Sequence, residues 1–189
     1  MVRKFIFAVV ALAVSLNFAL AFELSAQKEL EYGLEASYYQ DLARASKHFE
    51  SACNKGSING CSFLGISYYN GEGVRQDYKK AIEIWQMTCD KKDAVGCAQL
   101  GFAYKSGKAV KQDYKKAMDL YQKACDLGGA DACYDVASLY LDAKGVEQNF
   151  KTAKEYFGKA CDLGDQFGCD DYKKLNVISL LPVGQCSGG

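Results

Sequence analysis

Nine cysteines, one histidine and a few serines with a lysine nearby are the side chains of this 189-residue chain that could carry covalent or metal chemistry. Eight of the cysteines stand at 53, 61, 89, 97, 125, 133, 161 and 169, so separations of 8 and 28 alternate along the sequence. Such thiols could ligate zinc, exchange disulfides or staple the chain. Zinc sites favour C-x2–4-C spacing and closed tetrahedral sets, and redox exchange favours C-x-x-C. Neither spacing occurs, and His48 is the sole histidine, so neither a metal site nor a cofactor is expected. Stapling is the chemistry that this spacing supports.

Nucleophilic catalysis finds less support. Ser25-Ala26-Gln27-Lys28 spells S-x-x-K, the pairing of a nucleophilic serine with a lysine base used by serine β-lactamases. It lies near the expected mature terminus, S-D-N is missing, and Lys151-Thr152-Ala153 is an incomplete K-T-G. The position of His48 is held by Ile84, Leu120 and Tyr156 at later steps of 36 residues, which assigns it to packing. The run Gly71-Glu72-Gly73-Val74 could cradle a phosphate, yet its counterparts recur at every turn of the repeat, which makes it a turn device. Asp170 and Asp171 open a helix, where negative charge suits the dipole. No catalytic residues can be assigned from these motifs.

The N-terminal stretch sets the compartment. Arg3 and Lys4 precede an apolar run, and Ala19-Leu20-Ala21 offers a small-x-small cleavage site, so residues 1–21 read as a secretory signal peptide. Phe22 stands where a lipoprotein would carry cysteine. A secreted or periplasmic protein free of the membrane after cleavage is expected. Cleavage leaves 21 basic against 23 acidic residues, a net charge of −2, which points away from nucleic acid as a partner.

The elements that position these groups are written four times. "DLARASKHFESAC" (41–53), "DYKKAIEIWQMTC" (77–89), "DYKKAMDLYQKAC" (113–125) and "NFKTAKEYFGKAC" (149–161) align without gaps at a period of 36. A period of this size indicates units that bury their apolar faces only against neighbours. In this half of each unit Ala81, Ile84, Trp85 and Thr88 recur at helical spacing, behind an Asp or Asn suited to N-capping. The other half carries Cys61, Leu64, Gly65 and Tyr68, repeated as Cys97, Leu100, Gly101 and Tyr104, on a second helix. Turn text at 70–76 and 105–112 closes an antiparallel hairpin between them. The first unit has a shorter turn. Repeats are expected at about 24–57, 58–93, 94–129 and 130–165, with a terminal cap at 166–189, all within one domain spanning 22–189.

Leu64-Gly65, Tyr68, Gly71-x-Gly73-Val74, Asp77, Lys80-Ala81 and Trp85 resemble the pattern of Sel1-like repeats, relatives of tetratricopeptide repeats. Leu100-Gly101, Tyr104, Gly107, Val110, Asp113, Lys116-Ala117 and Tyr121 nearly repeat it. Ala137 and Ala143 replace two of the glycines, from which a looser third hairpin is expected. With C-x7-C at every junction, the chain is similar to the Helicobacter cysteine-rich protein family. That resemblance implies an all-α, right-handed α/α solenoid. It also implies kinship with proteins classed as β-lactamases, some with weak penicillin binding and hydrolysis and some with suggested host-interaction roles.

Two disulfide patterns fit an antiparallel hairpin: across each junction, or within each hairpin as Cys61–Cys89 and its repeats. Counting favours the first, since Cys53–Cys61, Cys89–Cys97, Cys125–Cys133 and Cys161–Cys169 leave only Cys186 over. Ligand contacts are expected on the stripe of the first helices turned away from the second helices: Ser62, Ile66, Tyr69 and Asn70, then Phe102, Lys105 and Ser106, then Tyr134, Ser138 and Asp142. That mixture suits an extended peptide or a peptidoglycan fragment. The expected function is a monomeric, secreted binding protein for such ligands. The alternatives are a genuine β-lactamase acting on the β-lactam amide and a secreted host-interaction protein with a protein partner.

Overall fold

The computed structural model describes the backbone of residues 2–180 and the side chains of residues 19–176. Cys186 and the tail 181–189 lie outside the described residues, as do the side chains of Arg3 and Lys4. Every second helix of a repeat begins where a short polar side chain takes up a free amide of the first turn. Asp41, Asp77, Asp113 and Asn149 accept from the amides of Arg44, Lys80, Lys116 and Thr152 at 3.1, 3.0, 2.9 and 3.0 Å. These caps open α2 (Leu42–Asn54), α4 (Tyr78–Asp90), α6 (Tyr114–Asp126) and α8 (Phe150–Asp162). The partner helices are α1 (Val2–Tyr38), α3 (Ile58–Asn70), α5 (Ala94–Ser106), α7 (Ala130–Leu141) and α9 (Gln166–Leu180). No strand occurs among the described residues. The expected cleavage point after Ala21 falls inside α1.

Ser57 and Asp93 cap α3 and α5 four residues ahead of the cysteine that leads each apolar stripe. At the far end of these helices the chain turns through left-handed glycines, Gly71 at φ 77° and Gly107 at φ 69°. The loops that follow are held by the same two bonds each time. The amides of Asp77, Asp113 and Asn149 donate to the carbonyls of Tyr68, Tyr104 and Tyr140 at 2.9, 3.0 and 3.2 Å. The side chains of Gln76, Gln112 and Gln148 donate to the carbonyls of Tyr69, Lys105 and Leu141 at 2.9, 2.9 and 2.7 Å. The third hairpin is therefore not the looser one expected from Ala143. Ala143 adopts φ 53° within a loop that keeps both bonds, and α7 ends one residue early, at Leu141, with Asp142 as its C-cap.

The chain divides within α4, between Thr88 and Cys89, into two compact units. In the first, α1 packs on α2 and α2 on α3. Its core gathers Leu30, Ala36, Ala45, Phe49, Ala52 and Leu64. In the second, α5 packs on α6, α6 on α7, α7 on α8 and α8 on α9. Its largest core cluster centres on Tyr121, Val136, Leu139 and the four cysteines 89, 97, 125 and 133.

Close helix contact depends on a missing side chain opposite a large ring. A Cβ on Gly65 would stand 2.4 Å from Trp85 Nε1, one on Gly101 3.1 Å from Tyr121, and one on Gly33 2.5 Å from Phe49. Gly33 precedes its ring by 16 residues, whereas Gly65 and Gly101 precede theirs by 20. The four residues saved are the shortened first turn, where Gln40 at φ 62° leads directly into the Asp41 cap.

Candidate functional site

The cysteines take the pairing reached by counting. Cys53–Cys61, Cys89–Cys97, Cys125–Cys133 and Cys161–Cys169 are bonded, with Cα atoms 4.5, 4.5, 4.7 and 4.5 Å apart. Each joins the last turn of one helix to the first turn of the next. The bridges at 89–97 and 125–133 are fully buried. Bonded thiols are neither nucleophiles nor metal ligands, so the chemistry lies elsewhere.

The expected ligand stripe divides by burial. Ser62 is fully buried and its Oγ donates to Thr88 Oγ1 at 2.8 Å, while its carbonyl accepts from Trp85 Nε1 at 3.1 Å. Tyr69 is 6% exposed, with its ring against those of Trp85 and Tyr78, whose centroids lie 5.2 and 5.0 Å away. Both therefore belong to the core rather than to a ligand face. The reason is that this stripe of α3 faces α4, its own second helix, where Thr88, Trp85 and Tyr78 lie, while Leu64 on the other stripe packs with Phe49 and Ala52 of α2. Ile66 is half-buried and Asn70 exposed, the latter donating to Glu72 at 2.9 Å.

In the second unit, four of the expected residues meet in one place. Lys105 and Ser106 from the end of α5 and Ser138 and Asp142 from α7 line a pocket of about 260 Å³, together with Tyr114, Asp135, Leu139 and Lys144. Asp135, Ser138 and Asp142 share one face of α7 because they lie three and seven residues apart. Lys105 Nζ donates to Asp135 Oδ1 at 2.5 Å, and the two side chains are 33% and 28% exposed. Burial holds the Asp135 carboxyl above the ordinary aspartate range, with the Lys105 hydrogen bond opposing it. Lys144 donates to Asp142 at 2.8 Å, and that carboxylate holds the Lys144 ammonium above its ordinary range. Beneath the first pair lies the ring of Tyr121, 5.3 Å from Lys105 Nζ. The Tyr121 hydroxyl is buried without a hydrogen-bond partner, and burial, then the Asp135 charge, push its ionisation far upward.

The remaining expected residues sit near this pocket or serve packing. Phe102 is exposed, 5.9 Å from Lys105 Nζ. Tyr134 is half-buried, its ring tilted against Phe157 at 5.1 Å between centroids, and it donates to Asp171 at 3.0 Å. Ser138 Oγ donates back to the Tyr134 carbonyl at 3.0 Å, the usual resting bond of a helical serine. Sequence reasoning missed Asp135 and Tyr121. Asp135 stands in a column with Phe63, Gln99 and Asp171, so no repeat signal marks it. Tyr121 stands in the Trp85 column of the repeat, and only its unpaired hydroxyl distinguishes it.

None of Ser25, Lys28 and His48 lines this pocket. Ser25 is half-buried and Lys28 exposed on α1. His48 Nδ1 bonds Glu29 at 2.8 Å, and Lys55 Nζ donates to the same carboxylate at 2.6 Å, clamping α1 to α2. Lys55 first, then His48, hold the Glu29 carboxyl at about 2. Among the described residues no group of three or more His, Cys, Asp or Glu side chains could hold a metal ion. None of their helices is long and apolar enough to cross a membrane.

Stapled antiparallel hairpins at a 36-residue period define an all-α helical-repeat protein of the solenoid class. The chain belongs to the Sel1 repeat family, whose model matches residues 17–57, 58–93, 94–129 and 130–165. It is similar to "Beta-lactamase HcpA" of Helicobacter pylori, 38% identical over 73 residues that make up 39% of this chain and 29% of that protein. "Putative beta-lactamase HcpC" of the same organism is 40% identical over 75 residues, 40% of this chain and 26% of that protein. The match thus spans less than a third of either relative. Among solved structures, the Helicobacter pylori cysteine rich protein B aligns over 67% of this chain and 96% of its own, at 30% identity and TM-score 0.57. A Sel1 repeat protein from Oxalobacter formigenes aligns over 82% of this chain and 65% of its own, at 22% identity and TM-score 0.72, a likeness of fold alone. Four disulfides and these relatives point to an oxidising, extracytoplasmic environment.

Proposed function

We propose that this is a secreted or periplasmic binding protein for peptides or peptidoglycan fragments, working as a monomer after removal of residues 1–21. The observation that carries the reading is the pocket between α5 and α7. It is concave, lined by two cations, two anions, three hydroxyls and one aliphatic side chain, Leu139, and about 260 Å³ in volume. Such a set orients a polar ligand and excludes nucleic acid, which a net-neutral lining does not attract. Titration calorimetry of the oxidised protein with a cell-wall tripeptide tests it. Saturable binding lost in Lys105→Met supports the reading, and absence of heat with any such peptide rejects it.

A second reading, hydrolysis of the β-lactam amide, draws on the names of the two curated relatives. Ser106 and Ser138 would be the candidate nucleophiles, since they share the pocket with two lysines. The chemistry is unfavourable in this arrangement. An ammonium already bonded to a carboxylate, as Lys105 is to Asp135 and Lys144 to Asp142, has no lone pair with which to take a serine proton. Incubation with penicillin followed by intact-mass analysis separates the readings: an acyl adduct on Ser106 or Ser138 with steady turnover establishes the enzyme. A third role, contact with a host protein, would show as complex formation that the tripeptide does not displace.

A further inference from the structure

The pocket's charges alternate in a way that the repeat does not require. Lys105 occupies a column held by Tyr69 and Leu141, and Asp135 one held by Phe63 and Gln99 in the preceding repeats. Aromatic, aliphatic and amide residues thus serve those positions in other repeats, and the carboxylate that returns at Asp171 bonds Tyr134 and Lys174 instead. A half-buried ion pair adds little stability over well-packed apolar residues and often less than none. Asp142 and Lys144 place a second, more exposed pair at the rim of the same pocket. Two cations and two anions therefore face a space with the volume of about nine water molecules at ~30 Å³ each, enough for the end group of one residue.

The geometry points to recognition of an α-amino-acid zwitterion, an ammonium and a carboxylate on one carbon, which this pocket binds by exchanging its internal ion pairs for pairs with the ligand. The inference rests on the peptide-binding reading above and specifies which part of the ligand is read. The ligand carboxylate takes Lys105 and Lys144, and its ammonium takes Asp135 and Asp142. No charge is left unpaired in the exchange, so the cost of breaking the internal pairs is returned in kind. A ligand end with one charge strands two like charges of the pocket together and is rejected. The zwitterion can come from a free amino acid or from the side-chain end of a diamino acid in a cell-wall peptide.

Calorimetry with three probes tests this on the oxidised chain: L-Ala-γ-D-Glu-meso-diaminopimelate, the same tripeptide ending in L-Lys, and free meso-diaminopimelate. The diaminopimelate tripeptide is expected to bind at least tenfold more tightly than the lysine tripeptide, whose side chain ends in an ammonium alone. Free diaminopimelate binding as tightly as its tripeptide identifies the free amino acid as the source, and weaker binding identifies the cell-wall peptide. The double substitution K105M/D135L removes one pair without leaving a lone charge, and should erase the preference. D142N/K144Q, at the exposed rim, repeats the test should the first variant fail to fold. Equal affinity for the two tripeptides overturns the zwitterion inference and leaves peptide binding standing, as does a preference unmoved by D142N/K144Q. Absence of binding by all three probes overturns both.

Discussion

The hairpin α3–α4 in the first unit and the hairpin α5–α6 in the second follow one pattern, with about half of their residues the same, and they end as different objects. In α3–α4, Tyr69 lies against Trp85 and Tyr78, and Trp85 satisfies its own N–H on the Ser62 carbonyl. The end of that hairpin is sealed. In α5–α6, Lys105 replaces Tyr69, Tyr121 replaces Trp85 and Ala98 replaces Ser62. The lysine passes over the Tyr121 ring to reach Asp135, the tyrosine hydroxyl is left without a partner, and a pocket opens beside the pair. Three column changes, with Asp135 supplied by α7, put a charged cleft where the other hairpin has a sealed aromatic cluster, and both helices keep their length. In such a repeat the backbone is fixed by the glycines, the caps and the bridges, and the remaining columns are free to differ.

The largest way to break that comparison is to remove the staples, because the units hold unequal numbers of them. One bridge lies in the first unit and three in the second. Loop closure gives each about 2.5 kcal/mol, so reduction costs about 7.5 kcal/mol in the second unit and about 2.5 in the first. Hydrogen exchange under reducing conditions should show amides of α5–α8 losing protection well before those of α2 and α3. Uniform loss would mean that the bridges act on the chain as one cooperative body.

A smaller effect separates the two glycine contacts. Gly65→Ala places a methyl 2.4 Å from Trp85 Nε1 and displaces the indole from its bond to Ser62, for an expected loss of about 2–3 kcal/mol. Gly101→Ala meets Tyr121 at 3.1 Å, where a small shift suffices and the helix gains about 1 kcal/mol of propensity, so its net change is close to zero. Urea unfolding of the two variants should differ by at least about 2 kcal/mol. Equal losses would show that the ring above Gly101 is held as rigidly as Trp85.

Much of this frame is readable without coordinates. Asp41, Asp77, Asp113 and Asn149 announce their helices because capping is local chemistry, and the junction bridges follow from a count. The site was readable only in part. Lys105, Ser106, Ser138 and Asp142 fall in the expected stripe and do meet in the pocket. Ser62 and Tyr69 fall in it too, yet their stripe of α3 is the one that faces α4, its own second helix. Asp135 pairs with a residue 30 positions away, and such a pairing carries no periodic trace.

Lys105→Met tests the charged cleft itself. It leaves the Asp135 carboxylate half-buried and unpaired, at a cost of about 1–2 kcal/mol near neutral pH. Because burial already holds that carboxyl above the ordinary range, the penalty should disappear as pH falls and Asp135 takes up a proton. A thermal-shift series from pH 7 to pH 4 reads this directly: the variant should approach the parent at the acid end. A constant gap would place the loss in the packing of the lysine stem over Tyr121 rather than in charge.

The smallest effect carries the opposite sign, in the first unit. Glu29 is held at about 2 by Lys55 and His48, below the 4.5 of an ordinary glutamate, so its ionised form favours the folded state. A carboxyl with a lowered value contributes its full stabilisation above about 4.5, and that contribution fades as pH drops towards 2. Glu29→Gln should therefore be the less stable protein at pH 6, by an amount under about 1 kcal/mol for a clamp this open to solvent. The difference should shrink on acidification below 4.5, in the same direction of pH that relieves Lys105→Met. The two variants converge on the parent for different reasons: in one a penalty is neutralised, whereas in the other the parent loses its advantage. Melting temperatures separate them. Between pH 6 and pH 3 the parent should fall towards Glu29→Gln, whereas Lys105→Met should rise relative to the parent, and a Glu29→Gln gap independent of pH would show that the clamp holds α1 to α2 by packing alone.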